Sequence, residues 1–456
     1  MAEGSPSAAR AAIQARQWEQ LSGLLTTSLP GNPFYTKKLG PLAEALQARV
    51  SPKDAAARSA AEQLAEFSRL APFTTKAEIV ADQLEHPPYG TNLSFPLERY
   101  TRCHQTSGTT GTPLRWLDTS DDWNAMVEDW VTVYRAAGVK RGDRVLFAFS
   151  FGPFIGFWLA FEAAERLGAL CLPGGGLGSL ARLRMILDHA ATVVCCTPTY
   201  ALRLAESAAE HGIALDGSSV RTLLVAGEPG GSLPAVRERL ARLWPGARVF
   251  DHHGMTETGP VTHECPACPG VLHVLESSFY AEVIDPATGE AAPAGASGEL
   301  VLTTLSRQGS PLLRYRSGDL VRAAFGPLED APPPCACGRY ELALAGGILG
   351  RTDDMIIVRG VNVFPSAVEE IVRGVDGVAE YQVTVTVARG LAEMALRVEP
   401  SAPGPNPGGI ARQVQEALQA ALSLRVPVVT VPPGTLPRFE LKARRWVTVP
   451  DPGGGS

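Results

Sequence analysis

Apolar residues from Ala8 to about Leu84 recur at helical spacing among Ala, Glu and Arg, which predicts a helical lead-in broken by loops at 30–33 and 71–75. Beyond Thr106 the texture changes. Short apolar runs at 145–149, 193–196, 223–226 and 248–250 alternate with amphipathic stretches such as 182–189 and 200–209. Strand–helix alternation of this kind predicts an α/β architecture, with a parallel or mixed sheet covered by helices. After His273 alternating segments at 281–284 and 298–304, separated by turn-rich 285–289 and 292–297, predict antiparallel strands. A last α+β unit follows: a strand at 355–358, a helix from near Ser366, strands at 381–387 and 394–398, and a helix at 410–422. The boundary falls near 350–354, giving domains 1–352 and 353–456.

The chain of 456 residues is long enough for more than one core. Its formal net charge of −6, without a cluster of Lys and Arg, argues against nucleic acid as a partner. The longest apolar stretch, 145–161, is short for a membrane span and is interrupted by Ser150, Gly152, Pro153 and Gly156. A buried strand, a turn and a packed helix are expected there, and no membrane partner. The N-terminal residues have no signal-peptide pattern, so cytoplasm is the expected compartment. Cys265 and Cys268, and Cys335 and Cys337, form close pairs that suit a metal better than a secreted disulfide framework.

Four segments carry candidate chemistry. Ser107, Gly108, Thr109, Thr110, Gly111 and Thr112 make a hydroxyl- and glycine-rich loop whose N–H groups can converge on an anion; it lacks the Gly-Lys-Ser/Thr ending of a Walker loop, and a polar surface turn is its rival reading. The run Asp251, His252, His253, Gly254, Met255, Thr256, Glu257 follows an expected strand, so Thr256 and Glu257 fall on a loop at its C-terminal end, where α/β folds bind ligands. Glu257 is a candidate Mg²⁺ ligand. Gly227, Glu228 and Pro229 also follow an expected strand and let a flat base approach the backbone, while Asp319 offers a carboxylate to two sugar hydroxyls.

Taken together and in this order, these segments resemble the acyl-adenylate-forming superfamily, and specifically phenylacetate–CoA ligases. The similarity runs from about Trp18 to Trp446. It includes the Pro-Phe-Thr-Thr-Lys lead-in at 72–76, Gly350-Arg351-Thr352-Asp353-Asp354, the 359–365 segment, and Pro437 to Lys442. The resemblance implies a large N-terminal adenylate-forming domain, with helix-covered sheets and a β-rich subdomain, and a small mobile C-terminal lid. It implies an ATP-dependent ligase that joins an acid to AMP, releases pyrophosphate and passes the acyl group to coenzyme A. The alternatives are delivery to a carrier protein or an amine and, more distantly, a non-catalytic nucleotide-binding regulator. A homodimer is an admissible assembly.

Residue by residue, the resemblance assigns 107–112 to the pyrophosphate, and Thr256 and Glu257 to the α-phosphate and Mg²⁺. It gives Asp319 to the ribose, Arg351 to the nucleotide, Asp353 to the hinge and Lys442 to adenylation. Asp251, His252 and His253 join the nucleotide site. Thr112 stands where the family has Lys or Arg, His253 where an aromatic stacks on adenine, and Leu441 where a glycine precedes the lysine. An aryl or arylacetic acid is expected to sit among Phe149, Phe151, Phe154, Gly174, Gly175, Gly176 and Gly254. Some relatives carry a similar cysteine pattern, which makes Cys265, His273, Cys335 and Cys337 the first choice for a structural Zn²⁺, with Cys268 as the substitute ligand.

Overall fold

The fold is taken from a computed structural model that describes residues 6–40, 42, 58–106, 113–156, 158–325, 332–359, 361–388, 391–401, 407–439 and 442–450. The expected phosphate-loop residues Ser107 to Thr112, and Leu441, lie outside the described residues. The chain forms two compact units, Met1–Gly175 with Asp251–Gly347, and Gly176–Phe250 with Ile348–Ser456.

In the first unit the lead-in is helical as expected: Pro6–Gly23, Pro33–Leu39, Ala60–Leu70 and Lys76–Glu85. The expected 30–33 loop is only a 3₁₀ turn, Leu29–Gly31, because Asn32 caps the next helix by accepting the Tyr35 N–H. Two other starts are written locally. Ser59 with Glu62, and Thr75 with Glu78, form reciprocal capping boxes that satisfy otherwise orphaned N–H groups. The apolar faces of these helices, including Leu21, Leu24, Tyr35, Leu64, Phe67 and Ile79, share one core with Tyr280, Leu312 and Tyr315 of the β-rich part.

That β-rich part contains strands Phe279–Ile284, Ser297–Thr304 and Tyr315–Arg322, antiparallel in that order. A second small sheet joins Thr262–Glu264, Val271–Val274 and Ala343–Ala345, also antiparallel. Tyr100–Gln105 and Arg115–Thr119 form an antiparallel pair on either side of 107–112, and Thr106 N donates to Leu114 O at 2.9 Å. Helix Ser120–Ala136 follows, capped by Thr119 and Asp122. The apolar stretch at 145–161 resolves as expected into strand Arg144–Phe147, a turn, and helix Trp158–Arg166; the strand pairs in parallel with Leu170–Pro173.

In the second unit, strands Val193–Cys196, Thr222–Val225 and Arg248–Asp251 are neighbours in that order, with helix Ser179–Asp188 before the first and helices Pro198–Glu210 and Pro234–Leu243 between them. Its later stretch builds a sheet in the order Val361–Val363, Ile356–Val358, Leu391–Pro400, Val378–Ala388, Trp446–Pro450, with Val428–Thr430 beside Leu391–Pro400. Tyr381, Val383 and Val385 alternate inward and meet Met394, Leu396 and Val398 under helices Pro365–Arg373 and Pro407–Leu422. The period of two along these strands places the core on one face. Among the described residues, no helix is long and apolar enough to cross a membrane.

Candidate active site

Strand Arg248–Asp251 delivers its chain into the segment with the most sequence-assigned residues. Asp251 N donates to Glu264 Oε2 at 2.5 Å, and Gly270 N donates to the other oxygen of Glu264 at 3.0 Å. His252 turns inward: its ring lies 4.3 Å from that of Trp130, and Nδ1 is 2.6 Å from the Thr262 carbonyl. Burial pushes the His252 imidazole down to about 3, so it is neutral near pH 7. His253 points the other way, with Nε2 3.1 Å from Asp319 Oδ2. His253 and Asp319, assigned to adenine and ribose, thus meet within the first unit.

Gly254–Met255 pairs with Gly259–Pro260, leaving Thr256, Glu257 and Thr258 at the turn. A Cβ on Gly254 would stand 2.7 Å from Gly259 O, so the two backbones meet only because this residue has no side chain. Arg307 fixes the turn. Its Nη1 donates to the carbonyls of Thr256 and Glu257 at 2.9 and 2.8 Å, while Nε and Nη2 grip Asp118 at 2.6 and 2.8 Å. Both side chains of the Arg307–Asp118 pair are buried. Planar bidentate pairing leaves the guanidinium two donors for the turn, which a lysine could not supply in the same geometry.

Glu257 is almost fully buried, yet Lys76 Nζ at the head of helix Lys76–Glu85 stands 3.0 Å from its Oε1. Mg²⁺ is a hard ion that takes carboxylate oxygens, and Lys76 occupies one of the two that Glu257 offers. Lys76 and Arg307 were not assigned roles from sequence. Lys76 had a local signal, the Pro-Phe-Thr-Thr-Lys run, whereas Arg307 had none because its partners are scattered along the chain.

The aromatic residues assigned to the acid also converge in the first unit. Phe149 and Phe154 meet edge to face at 5.5 Å, and Phe151 contacts Trp158 at 4.9 Å and Phe161 at 5.8 Å. Phe149, Phe151 and Phe154 are half-buried, and Trp158 is 37% exposed. The missing Cβ of Gly175 would lie 3.2 Å from the Phe151 ring, and that of Gly174 2.8 Å from Phe147 O. Gly176 falls in the second unit.

In the second unit Gly227 adopts φ +95°, open to glycine, and an added Cβ would lie 3.8 Å from Lys442 Cε. Glu228 accepts the N–H of Thr199 through Oε1 and of Ala443 through Oε2, each at 2.9 Å. Lys442 is exposed. Arg351 pairs bidentately with Asp353 at 2.8 and 3.0 Å, on the surface.

The cysteine pairs come together with His273. Cys265 follows strand Thr262–Glu264, His273 lies on Val271–Val274, and Cys335 and Cys337 occupy a turn closed by Gly338 N to Cys335 O at 2.7 Å. One ligand atom from each lies within 4.8 Å of the others; Cys265 Sγ is 3.5 Å from Cys335 Sγ, and Cys337 Sγ is 3.4 Å from His273 Nε2. A tetrahedron of thiolates about 2.3 Å from zinc has edges of about 3.8 Å, so the quartet fits that ion. His273 Nδ1 sits 3.3 Å from Glu341 O, leaving Nε2 toward the thiols. Cys268 stands outside the quartet and donates its N–H to Cys265 Sγ at 3.2 Å.

Residues 104–306 match the family model of the AMP-binding enzymes, and 360–448 that of the AMP-binding enzyme C-terminal domain. The phenylacetate–coenzyme A ligase of Thermus thermophilus is 33% identical over 451 residues, covering 94% of this chain and 95% of its own. That of Escherichia coli K12 is 30% identical over 446 residues, covering 95% and 94%. A solved structure of 2-hydroxyisobutyryl-CoA ligase in its postadenylation state superposes with a TM-score of 0.84 at 27% identity, covering 96% of this chain and 89% of its own. The chain therefore belongs to the phenylacetate–coenzyme A ligase family of AMP-binding enzymes and is an AMP-forming, ATP-dependent acid–CoA ligase.

Proposed function

We propose that the acid activated by this ligase is an aryl or arylacetic acid. The observation that carries this reading is the half-exposed cluster of Phe149, Phe151, Phe154 and Trp158 beside Gly174 and Gly175. Aromatic faces and edges at these spacings attract another ring by about 0.5–1.5 kcal/mol per pair beyond area burial, and the glycines keep the approach flat. Gly254, in the same unit, belongs to the same pocket in this reading. The relatives named for phenylacetate support it.

In the first half-reaction a carboxylate oxygen of the acid attacks the α-phosphorus of ATP, forming acyl-AMP and releasing pyrophosphate. In the second the CoA thiol attacks the acyl carbon and AMP leaves. Ser107 to Thr112 hold the departing pyrophosphate. Thr256 orients the α-phosphate, and Glu257 is the residue that would hold Mg²⁺, which would supply positive charge to the phosphates; Arg307 keeps both residues in place through their carbonyls. Asp319 receives the ribose hydroxyls, and the backbone of Gly227 to Pro229 and the 251–253 segment line the adenine. Arg351 contacts the nucleotide. Lys442 neutralises charge building between carboxylate and phosphate.

The functional domains are 1–352 and 353–456, with Asp353 as the hinge about which the smaller one turns between half-reactions. The Cys265, His273, Cys335, Cys337 quartet holds zinc for structure, because a closed shell of four protein ligands leaves no position for substrate. Cytoplasm is the compartment in which reduced thiols, ATP and CoA meet. The test is acid-dependent pyrophosphate release over a panel of benzoic, arylacetic and branched aliphatic acids, followed by thioester detection with CoA. Greater kcat/KM for the aliphatic members would overturn the aromatic reading.

A further inference from the structure

We infer that Glu228 is a positioning residue for adenylation: its carboxylate is a catch that fastens the Lys442 segment to the N-terminus of helix Pro198–Glu210. This rests on Lys442 being the adenylation lysine. One oxygen of Glu228 takes the N–H of Thr199, in the first turn of that helix, and the other takes the N–H of Ala443, the residue after Lys442, both at 2.9 Å. The two donors lie 244 positions apart in the chain, so one side chain spans two distant strands of sequence. First-turn N–H groups have no partner within a helix and carry its positive end, which favours a carboxylate there.

The surroundings explain why the catch bears on the lysine in particular. Gly227, next to Glu228, has no Cβ where one would lie 3.8 Å from Lys442 Cε, so the loop and the lysine stem run side by side. Three residues past Lys442, buried Arg445 binds Glu380 at 2.7 Å and Glu369 at 3.1 Å, and reaches toward Thr199 Oγ1 at 3.4 Å. Arg445 therefore fixes one end of the segment to the sheet, and Glu228 fixes the end that carries Lys442. Polar cross-links also join other parts of 348–456 to residues 176–250: Ala235 N to Glu370 at 3.1 Å, and Arg438 to Glu206 at 3.5 Å. Charge-assisted N–H bonds to a half-buried carboxylate hold geometry well yet exchange with water readily, which suits a contact made in one half-reaction and released in the other.

The test uses the full chain with Glu228→Gln and Glu228→Ala, each alone and with Lys442→Ala. The glutamine keeps one acceptor oxygen but presents an NH₂ to the second N–H, so the catch opens with little change of size. Expected is a fall of about tenfold or more in kcat for acid-dependent pyrophosphate release, with KM for ATP within about twofold and thioester formation from preformed acyl-AMP unchanged or faster. In the Lys442→Ala background, where pyrophosphate release is already lost, each Glu228 change leaves thioester formation from preformed acyl-AMP unchanged or faster. A raised KM for ATP at unchanged kcat would make Glu228 a nucleotide contact and overturn the inference, as would equal loss of both half-reactions or no loss at all. Undiminished pyrophosphate release by Lys442→Ala alone would instead sink the assignment of the lysine on which the inference rests.

Discussion

Arg307 holds Glu257 by its backbone, with Nη1 donating 2.8 Å to the Glu257 carbonyl while the rest of the guanidinium is spent on Asp118. Arg307→Lys is expected to keep the charge and lose the fork. Acid-dependent pyrophosphate release should fall by about a hundredfold, since small displacements of a charge-stabilising turn are costly in rate. Removing the fork also leaves Asp118 badly paired in a buried site, so the melting temperature should drop, by the equivalent of about 3 kcal/mol. Full activity in a folded Arg307→Lys protein would show that the turn needs no such clamp.

Lys442→Ala should abolish adenylation while sparing thioester formation from supplied acyl-AMP. In the proposed role the lysine counters charge present only between carboxylate and phosphate in the first half-reaction, an effect of roughly 3 kcal/mol or more in a water-excluded site. Pyrophosphate release and thioester formation, measured separately, decide it.

Zinc analysis of protein purified without chelator should give one ion per chain. Cys335→Ser and Cys337→Ser should each lower zinc content and melting temperature together, because metal affinity is folding free energy in a site joined from distant segments. Stoichiometric protein with no zinc, or zinc retained in both variants, would contradict the assignment.

Asp353→Pro should leave pyrophosphate release largely intact and cripple thioester formation. Proline fixes φ near −65°, so a residue that must change backbone state is held in one. The substitution also removes the exposed pair with Arg351, which at the surface is worth little. Equal loss of both rates would mean misfolding, and loss of neither would mean that no pivot lies here.

Asp129 supplies a pH-dependent test of the first unit. Its carboxyl is buried and, among the described residues, accepts the Ser278 hydroxyl alone, at 2.6 Å, on one oxygen, and burial pushes it up to about 7. The folded protein then binds a proton between about pH 4 and 7 that the unfolded chain does not. The stability from this group is complete below about pH 3.9 and is lost as pH rises to about 7. Asp129→Asn should remove this part of the slope, gaining melting temperature relative to wild type at pH 8 and gaining little at pH 4. Parallel melting curves across that range would refute the reading.

Much of this fold was legible because its signals are local. The alternation at 381–387 names the buried face of a strand, and the Val145 to Phe161 stretch shows its turn through Gly152, Pro153 and Gly156. The spacing of the cysteine pairs points to a metal site, and the structure places His273 beside Cys337 in a quartet with Cys265 and Cys335, with Cys268 next to Cys265. What could not be read are relationships carried by one side chain reaching several remote backbones. Arg307 meets Asp118, Thr256 and Glu257, and Glu228 meets Thr199 and Ala443. Neither has a period or a motif. The short pair Gly254–Met255 with Gly259–Pro260 was hidden for another reason, since two residues are too few to show alternation.

The second unit draws on two separated stretches of chain, Gly176–Phe250 and Ile348–Ser456. During synthesis the earlier stretch must therefore wait for about a hundred residues of the other unit before its complement begins to emerge, an interval of roughly 5–20 seconds at ordinary translation rates. Throughout that time Glu228 lacks Ala443, Glu206 lacks Arg438, and the first turn of helix Pro234–Leu243 lacks Glu370. Their polarity makes the delay tolerable: a surface of carboxylates and open N–H groups remains hydrated on the ribosome, where an apolar surface of the same extent would recruit chaperones or neighbouring nascent chains.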